Sequence, residues 1–272
     1  MADIIDAGFD ALMVKIARDK GFGCASYKDK CLRRRIAVRM RARGVHTYPD
    51  YAKVLDSDRD EYEKLLDALT INVTKLFRNW ETYSVIAETV IPSLWGRNIP
   101  TINVWSAGCS SGEEPYSLAA LFHRHAERVG SLGHVAARVK VLGSDIDARS
   151  LVAAETGGFE EADFGDTPLE LRRRYFSPTA PYTIVPEVKR LVRFERRDLL
   201  AEEPPPGVHH LIVCRNVLIY FDRDTQERLF EKFRRALSPD GFLVLGKVET
   251  LLGGARTQFA AVDGRERIFR PL

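Results

Sequence analysis

The sequence lacks the features that mark several large protein classes. It has four cysteines in 272 residues, and their spacing does not pair them as metal ligands. No apolar run approaches the length of a membrane span, and the opening MADIIDAGFD is acidic where a secretory leader starts basic. We therefore expect a cytoplasmic protein with reduced cysteines, no structural metal and no direct membrane insertion.

Charge is nearly balanced overall but unevenly distributed. The net charge is +3, whereas residues 28–43 hold eight basic residues and one acid, so this window carries +7 and the remainder −4. In this window apolar residues and arginines each recur every four positions: Leu32, Ile36 and Met40, and Arg35, Arg39 and Arg43. The pattern predicts an amphipathic helix with one packed face and one basic face.

The basic face suits an anionic partner, which can be nucleic acid, anionic lipid or an acidic protein surface, or it can be solvated without a partner. Between Leu32 and Val45 there is no aromatic residue to stack on bases and no large apolar anchor beyond the packed face. An acidic protein surface is therefore the preferred interpretation, ahead of the solvated face, and we do not expect nucleic acid.

The pattern of apolar residues changes along the chain. A second helical stretch is predicted from Tyr48 to Leu69, so residues 1–70 are expected to form a small all-helical domain. Residues 71–100 are expected to be a linker and the start of a second domain. Over residues 101–272 strands and helices alternate, which predicts an α/β fold with a parallel sheet covered by helices on both faces. Ligands of such sheets bind at the carboxyl ends of the strands.

The most informative segment is VWSAGCSSGEEPYSLAA, residues 104–120. It joins an apolar strand to a helix through a loop in which Gly108 and Gly112 let the main chain approach a ligand closely. Glu113 and Glu114, at the helix start, would repel a pyrophosphate but suit an ammonium, a sulfonium or hydroxyls. The glycine spacing also misses GxGxxG, which disfavours a dinucleotide. The alternative is a structural helix start whose carboxylates only complement the helix dipole.

Polar residues also follow the other predicted strands. Asp145 ends the second strand, where a carboxylate can accept hydrogen bonds from ribose hydroxyls. Asp198 and Leu199 follow the next strand and could contact an adenine edge, and Arg215 and Asn216 follow the strand LIVC. Each residue alone could be a strand-end cap. Their joint placement predicts one ligand site.

Five motifs, in this order, resemble those of the CheR-type chemotaxis protein methyltransferases: INVTKLFRNWETY, VWSAGCSSGEEPYSLAA, GSDIDARSL, VRFERRDLL and CRNVLIYFDRDTQERLFEKFRRALSPDGFLVLGKVET. The resemblance covers nearly the whole chain. It implies a Rossmann-like class I methyltransferase sheet after the helical domain, with a small antiparallel β insertion near residues 175–194. It also implies an S-adenosylmethionine-dependent enzyme that forms glutamate γ-methyl esters on the cytoplasmic domain of chemoreceptors, leaving S-adenosylhomocysteine.

The resemblance assigns roles to individual residues. It implies cofactor contacts from Asn72, Thr74, Arg78, Glu114, Asp145, Asp198, Leu199, Arg215 and Asn216. Glu113 remains an alternative to Glu114 for one of these contacts. Arg78 and Tyr220 match residues near the transferred methyl group and are the predicted catalytic residues. The basic helix face is then expected to dock the acidic receptor substrate through Arg35, Arg39 and Arg43.

One segment departs from the family pattern. Some members carry a glycine-bearing loop that captures a pentapeptide tether at the receptor tail, whereas SPTAPYTIVPEVKR, residues 177–190, is short and has no glycine. We therefore predict that this protein does not need the tether.

Two other functions remain open from the sequence. The chain could be a catalytically silent adaptor that keeps the cofactor fold, or a methyltransferase of the same fold with another acceptor. The presence of Arg78, Asp145, Arg215, Asn216 and Tyr220 favours the active enzyme, because an adaptor would be free to lose them.

Overall fold

A computed structural model describes residues 2–70, 73–97 and 99–272. The chain divides into two compact units. The helical unit comprises Met1–Ile71 and Tyr220–Thr225, and the sheet unit comprises Asn72–Ile219 and Gln226–Leu272. Within the described residues, no helix is both long enough and apolar enough to cross a membrane. All four cysteines are free thiols.

The helical unit contains α1 (Ala2–Lys20), α2 (Asp29–Ala42), α3 (Tyr48–Ser57) and α4 (Arg59–Thr70). The apolar face predicted for α2 is buried, with Leu32, Ile36 and Met40 in the core of this unit. The helical stretch predicted from Tyr48 to Leu69 is present, but it consists of two helices because the first one ends before Asp58. There the backbone is extended (φ −127°, ψ 99°), and the Asp58 side chain accepts a hydrogen bond from the Glu61 amide at the start of α4.

The sheet unit is built around seven strands: β1 (Ile102–Ala107), β2 (Val139–Asp145), β5 (Val192–Arg196), β6 (His209–Cys214), β7 (Leu237–Leu245), β8 (Phe259–Asp263) and β9 (Ile268–Pro271). They lie in the sheet in the order β5-β2-β1-β6-β7-β9-β8. From β5 to β7 neighbouring strands are parallel, whereas β9 and β8 continue the sheet antiparallel. The predicted α/β fold with a Rossmann-like sheet is confirmed, and β8 is an addition that its short, mixed sequence did not reveal.

Helices cover the sheet because side chains alternate between its two faces. Val104 of β1 lies in the same apolar cluster as Leu118 and Phe122, whereas Trp105 packs its ring against Phe233 at 5.6 Å between centroids. The α-helices of this unit are α5 (Trp80–Val85), α6 (Ile91–Trp95), α7 (Glu113–Arg128), α8 (Val135–Arg138), α9 (Ala148–Thr156), α10 (Leu169–Tyr175), α11 (Pro186–Lys189), α12 (Arg223–Ala236, from Gln226 onward) and α13 (Ala255–Gln258).

A second, two-stranded antiparallel sheet pairs β3 (Gly158–Phe159) with β4 (Tyr182–Thr183). The predicted β insertion is therefore present, but its position needs correction. Of the two strands of this sheet, β4 lies within residues 175–194, whereas β3 precedes that range. Strands of two residues are too short to show the alternation of apolar and polar residues by which strands are recognised.

Candidate functional site

The loop between β1 and α7 is shaped by glycines that no other residue can replace without strain. Gly108 has φ +81°, and a Cβ placed on it would lie 2.6 Å from a methyl carbon of Val217. Gly112 has φ +94°, and its Cβ would lie 2.9 Å from that of Ala154. The tight loop brings main-chain atoms to the carboxyl end of the sheet, and the Gly108 amide donates to Ser144 O at 2.8 Å.

Asp145, the last residue of β2, lies beside this loop and is 9% exposed. Its Oδ2 accepts a hydrogen bond from the Ser110 amide at 2.8 Å, and its Oδ1 accepts one from the Asp147 amide at 3.0 Å. Burial raises the pKa of the Asp145 carboxyl. The Ser110 hydroxyl is buried and has no hydrogen-bond partner within the part of the chain that the structure describes. A carboxylate and an unpaired hydroxyl therefore lie next to each other, as a diol ligand requires.

The two glutamates at the start of α7 have different surroundings. Glu114 accepts a hydrogen bond from Ser106 Oγ at 2.8 Å, and its Oε2 lies 3.9 Å from Arg215 Nη1. Glu113 instead accepts from Ser111 Oγ at 2.9 and 3.0 Å. Burial raises the pKa of each carboxyl to about 7, and the nearby Arg215 charge opposes the rise at Glu114. The Glu114 carboxylate therefore lies near a cation, whereas the Glu113 carboxylate is hydrogen-bonded to Ser111 of the preceding loop.

Arg215 links the end of β6 to the segment that precedes α5. Its Nη1 donates to Arg78 O at 2.9 Å and its Nη2 to Asn79 Oδ1 at 3.0 Å, while its Nε has no partner among the described residues. Arg78 donates from Nη1 to Val73 O at 2.9 Å. Its charge, like that of Arg215, opposes the rise in the pKa of Glu114. The structure therefore brings the predicted residues Arg78, Glu114 and Arg215 together.

The turn after β6 is held by a buried carboxylate that the sequence did not single out. Asn216 has φ +62°, and its amide donates to Glu249 Oε2 at 3.0 Å. Glu249 is 4% exposed and also accepts from the amides of Gly246 at 2.6 Å and Ile219 at 3.2 Å. Its sequence signal is weak, because the mostly apolar run 242–252 also contains Lys247 and Thr250.

The remaining predicted cofactor residues have less distinctive surroundings. The Asp198 carboxylate accepts from the amides of Leu200 at 2.8 Å and Ala201 at 3.3 Å, so it caps its own turn after β5. Leu199 is half-buried, and its carbonyl accepts from Lys232 Nζ at 3.2 Å. Thr74 is half-buried, and Asn72 lies outside the described residues.

Tyr220, the second predicted catalytic residue, belongs to the helical unit. Its carbonyl accepts a hydrogen bond from the Lys28 amide at 2.9 Å, and the guanidinium carbon of Arg35 lies 5.7 Å from the centre of its ring. Arg35 also donates from Nη1 to Ala68 O, and burial lowers its pKa.

Two of the three arginines predicted to form the basic face of α2 pair with acids close to the α3–α4 break. Arg39 donates from Nε and Nη2 to the two Glu61 carboxylate oxygens at 3.0 and 2.6 Å, and Arg43 pairs with Asp58 at 2.9 Å. Burial would raise the pKa of Glu61, but hydrogen bonds from Arg39 and Tyr51 bring it below its usual value. Lys30, Arg34 and Arg41 of α2 are exposed, and so is Arg43 directly after the helix.

S-adenosylmethionine suits the donors and acceptors of the sheet unit. Its ammonium and ribose hydroxyls need hydrogen-bond acceptors, and the carboxylates of Glu114 and Asp145 are acceptors of that kind. Ser110 Oγ is buried without a hydrogen-bond partner among the described residues, and such an atom calls for a polar ligand. These groups lie at the carboxyl edge of a mainly parallel sheet, where such sheets bind their ligands. The fold and the site together indicate the class of S-adenosylmethionine-dependent methyltransferases.

Comparison with known proteins identifies the family. Residues 72–268 match the model described as CheR methyltransferase, SAM binding domain, and residues 7–70 match CheR methyltransferase, all-alpha domain. The chain therefore belongs to the CheR methyltransferase family, as its five motifs predicted. The family carries out S-adenosylmethionine-dependent methylation in chemotaxis.

Individual relatives agree with this family. A chemotaxis protein methyltransferase of Klebsiella aerogenes is 34% identical over 90% of this chain and 83% of its own length. One of Listeria innocua is 34% identical over 91% of this chain and 92% of its own. An uncharacterized 104.1 kDa protein in the hypE 3' region of Rhodobacter capsulatus is also 34% identical over 90% of this chain, which spans only 26% of that protein.

Proposed function

We propose that the chain methylates glutamate side chains of chemoreceptors, using S-adenosylmethionine and giving glutamate γ-methyl esters. The observation that carries this proposal is the contact of the buried Arg215 with the half-buried Arg78 and Glu114 at the carboxyl edge of the sheet, where β2 also ends in Asp145. Relatives that this chain spans almost completely are chemotaxis protein methyltransferases.

The cofactor would be held mainly by its charged and hydroxyl groups. Glu114 would bind the amino group, because its side chain is only 12% exposed and its carboxylate is only partly neutralised by Arg215 at 3.9 Å. Asp145, with the Ser110 hydroxyl, would bind the ribose hydroxyls. Thr74, Asp198, Leu199 and Asn216, together with Asn72, remain proposed contacts on the strength of the family resemblance.

A glutamate acceptor fits a site of this kind because a carboxylate is already ionised near pH 7 and needs no general base. When bound, the cofactor supplies an electrophilic methyl group on a positively charged sulfur. Arg78 would orient the incoming carboxylate with its planar guanidinium, and Tyr220 would fix donor or acceptor through its hydroxyl. The work left to the protein is positioning and exclusion of water.

The receptor would dock on the basic side of the helical unit. We predicted Arg35, Arg39 and Arg43 as docking residues, but two of them neutralise acids of their own chain. The exposed Lys30, Arg34 and Arg41 therefore contribute most of the attraction to an acidic surface. Charge-reversal of these three should weaken receptor binding and leave cofactor affinity unchanged.

The pentapeptide tether of some receptors would not be required. The β4 side of the small sheet is formed by Tyr182 and Thr183 from the short segment 177–190, which has no glycine. Calorimetric titration with such a pentapeptide should show no heat of binding at micromolar concentrations. Micromolar affinity would overturn this part of the proposal.

The test of the proposed activity is transfer of a tritiated methyl group to a purified receptor cytoplasmic fragment. A glutamate ester releases its label as volatile methanol in mild base, whereas a methylated amine keeps it. We expect base-labile label that disappears when the acceptor glutamates are replaced by alanine. Base-stable label would indicate another acceptor, and cofactor binding without any transfer would indicate a silent adaptor.

A further inference from the structure

Tyr83 is a buried aromatic residue of α5 that contacts the charged cluster. It is 1% exposed, and its ring packs edge-on against Phe77 with 5.6 Å between centroids. The guanidinium carbon of Arg215 lies 5.4 Å from the centre of the Tyr83 ring. A cation at this distance from an aromatic ring is attracted to it, so the ring supports one side of Arg215.

The hydroxyl of Tyr83 has no structural role in this packing. Within the described residues it makes no hydrogen bond, although it is buried. Burial and the Glu114 charge raise its pKa, while Arg215 and Ser117 lie near enough to oppose the rise. The hydroxyl is therefore protonated at neutral pH and able to donate or accept. An unpaired buried hydroxyl destabilises a fold, and phenylalanine would give the same ring packing without that penalty.

Arg215 has a matching unpaired group. Its two Nη atoms donate to Arg78 O and Asn79 Oδ1, whereas its Nε has no partner in the described parts of the chain. Arg215 and Tyr83 are in contact, and each has a buried polar atom without a hydrogen-bond partner among the described residues. That atom is a donor, Nε, on Arg215 and the hydroxyl oxygen on Tyr83. The Arg215 guanidinium lies near enough to the Tyr83 hydroxyl to oppose the rise of its pKa.

We propose that Tyr83 is a positioning residue of the cofactor site, whose hydroxyl accepts a hydrogen bond from the Arg215 guanidinium when Glu114 binds the amino group of the cofactor. This role rests on the function proposed for Glu114. Once Glu114 pairs with the ligand, Arg215 loses part of its attraction to that carboxylate and gains a neutral acceptor instead. A neutral hydroxyl does not compete with Glu114 for the ligand's positive charge. The Tyr83 hydroxyl therefore accepts this hydrogen bond only in the complex with the cofactor.

The test is Tyr83→Phe, read out by the melting temperature of the ligand-free protein and by calorimetric affinity for S-adenosylhomocysteine. We expect the melting temperature to rise by about 2–4 °C, because an unpaired hydroxyl is removed. Affinity should fall by about five- to tenfold, because a hydrogen bond to a charged group is lost from the complex.

Tyr116→Phe is the matched control. Tyr116 is equally buried at 1%, but its hydroxyl donates to Ala154 O at 3.1 Å. Its removal should lower the melting temperature and leave affinity for S-adenosylhomocysteine within about twofold of wild type. The two variants should therefore shift stability in opposite directions.

The remaining outcomes separate this proposal from the proposed function. If wild type does not bind S-adenosylhomocysteine, the cofactor site itself is wrong. If wild type binds and Tyr83→Phe binds equally well, or melts lower as the control does, the role of Tyr83 is overturned. In an Arg215→Lys background the effect of Tyr83→Phe on affinity should largely disappear, and full additivity would contradict action through Arg215.

Discussion

Glu114→Gln tests the electrostatics of the proposed cofactor site with little change of shape. Glutamine can still accept a hydrogen bond from Ser106 but carries no charge for the ligand's amino group. Hydrogen bonds to charged groups contribute about 1.5–3 kcal/mol. Affinity for S-adenosylhomocysteine should therefore fall by roughly 10- to 100-fold.

The pH dependence gives a sharper test. Burial raises the pKa of Glu114 to about 7, so the carboxyl is mostly neutral at lower pH. Because only the ionised form attracts the ligand's ammonium, wild-type affinity should rise roughly eightfold between about pH 6 and 7.5. Glu114→Gln should lose most of this rise. Stability of the ligand-free protein should change oppositely, because a carboxyl whose pKa is raised on folding loses stabilisation as pH rises through that pKa.

The assay is isothermal titration with S-adenosylhomocysteine across this pH range, and Glu113→Gln is the matched control. Glu113 has the same raised pKa of about 7, but its carboxylate is bound to Ser111. This variant should keep wild-type affinity within about threefold and keep its pH dependence. If Glu114→Gln binds like wild type at every pH, or if Glu113→Gln shows the larger loss, the assignment to Glu114 is wrong.

Three further predictions concern other parts of the structure. Asp145→Asn should weaken S-adenosylhomocysteine binding by about tenfold or more in the same titration, and unchanged affinity would remove the proposed ribose contact. Gly112→Ala should lower the melting temperature by several degrees more than Gly130→Ala, because both have positive φ but only Gly112 has neighbours within 4 Å. Equal losses would show that crowding is unimportant. Glu61→Gln should lower the free energy of unfolding by about 2–4 kcal/mol in urea, because it leaves Arg39 without its buried partner. The loss should shrink as pH falls and the wild-type carboxyl is protonated, and a loss independent of pH would contradict an ionic origin.

The strands and the loop that form the site could be predicted because the residue patterns that indicate them lie within short stretches of sequence. Apolar runs defined the strands β1, β2 and β6, and parallel neighbours end at one edge of a sheet. Asp145 and Arg215 come at or directly after the ends of such runs. Their position at the same edge could therefore be predicted once the sheet was assumed to be parallel. Gly108 and Gly112 indicated a tight loop for a reason that the structure bears out, since both have positive φ.

What could not be predicted depends on contacts distant in sequence. Glu249 and Asn79 belong to the site through partners 33 and 136 residues away. Arg39, which we expected to be exposed, likewise forms a partly buried ion pair with Glu61, 22 residues away. Helical spacing predicts which face a residue occupies, but not whether an acid from a neighbouring helix lies opposite.

The most direct test of the account is a crystal structure of the chain with S-adenosylhomocysteine. We predict the ligand's amino group within hydrogen-bond distance of the Glu114 carboxylate and its ribose hydroxyls on Asp145, with Arg215 still bound to the segment around Arg78. A ligand seated elsewhere, or one whose amino group is held by Glu113 while Glu114 keeps only Ser106, would contradict it.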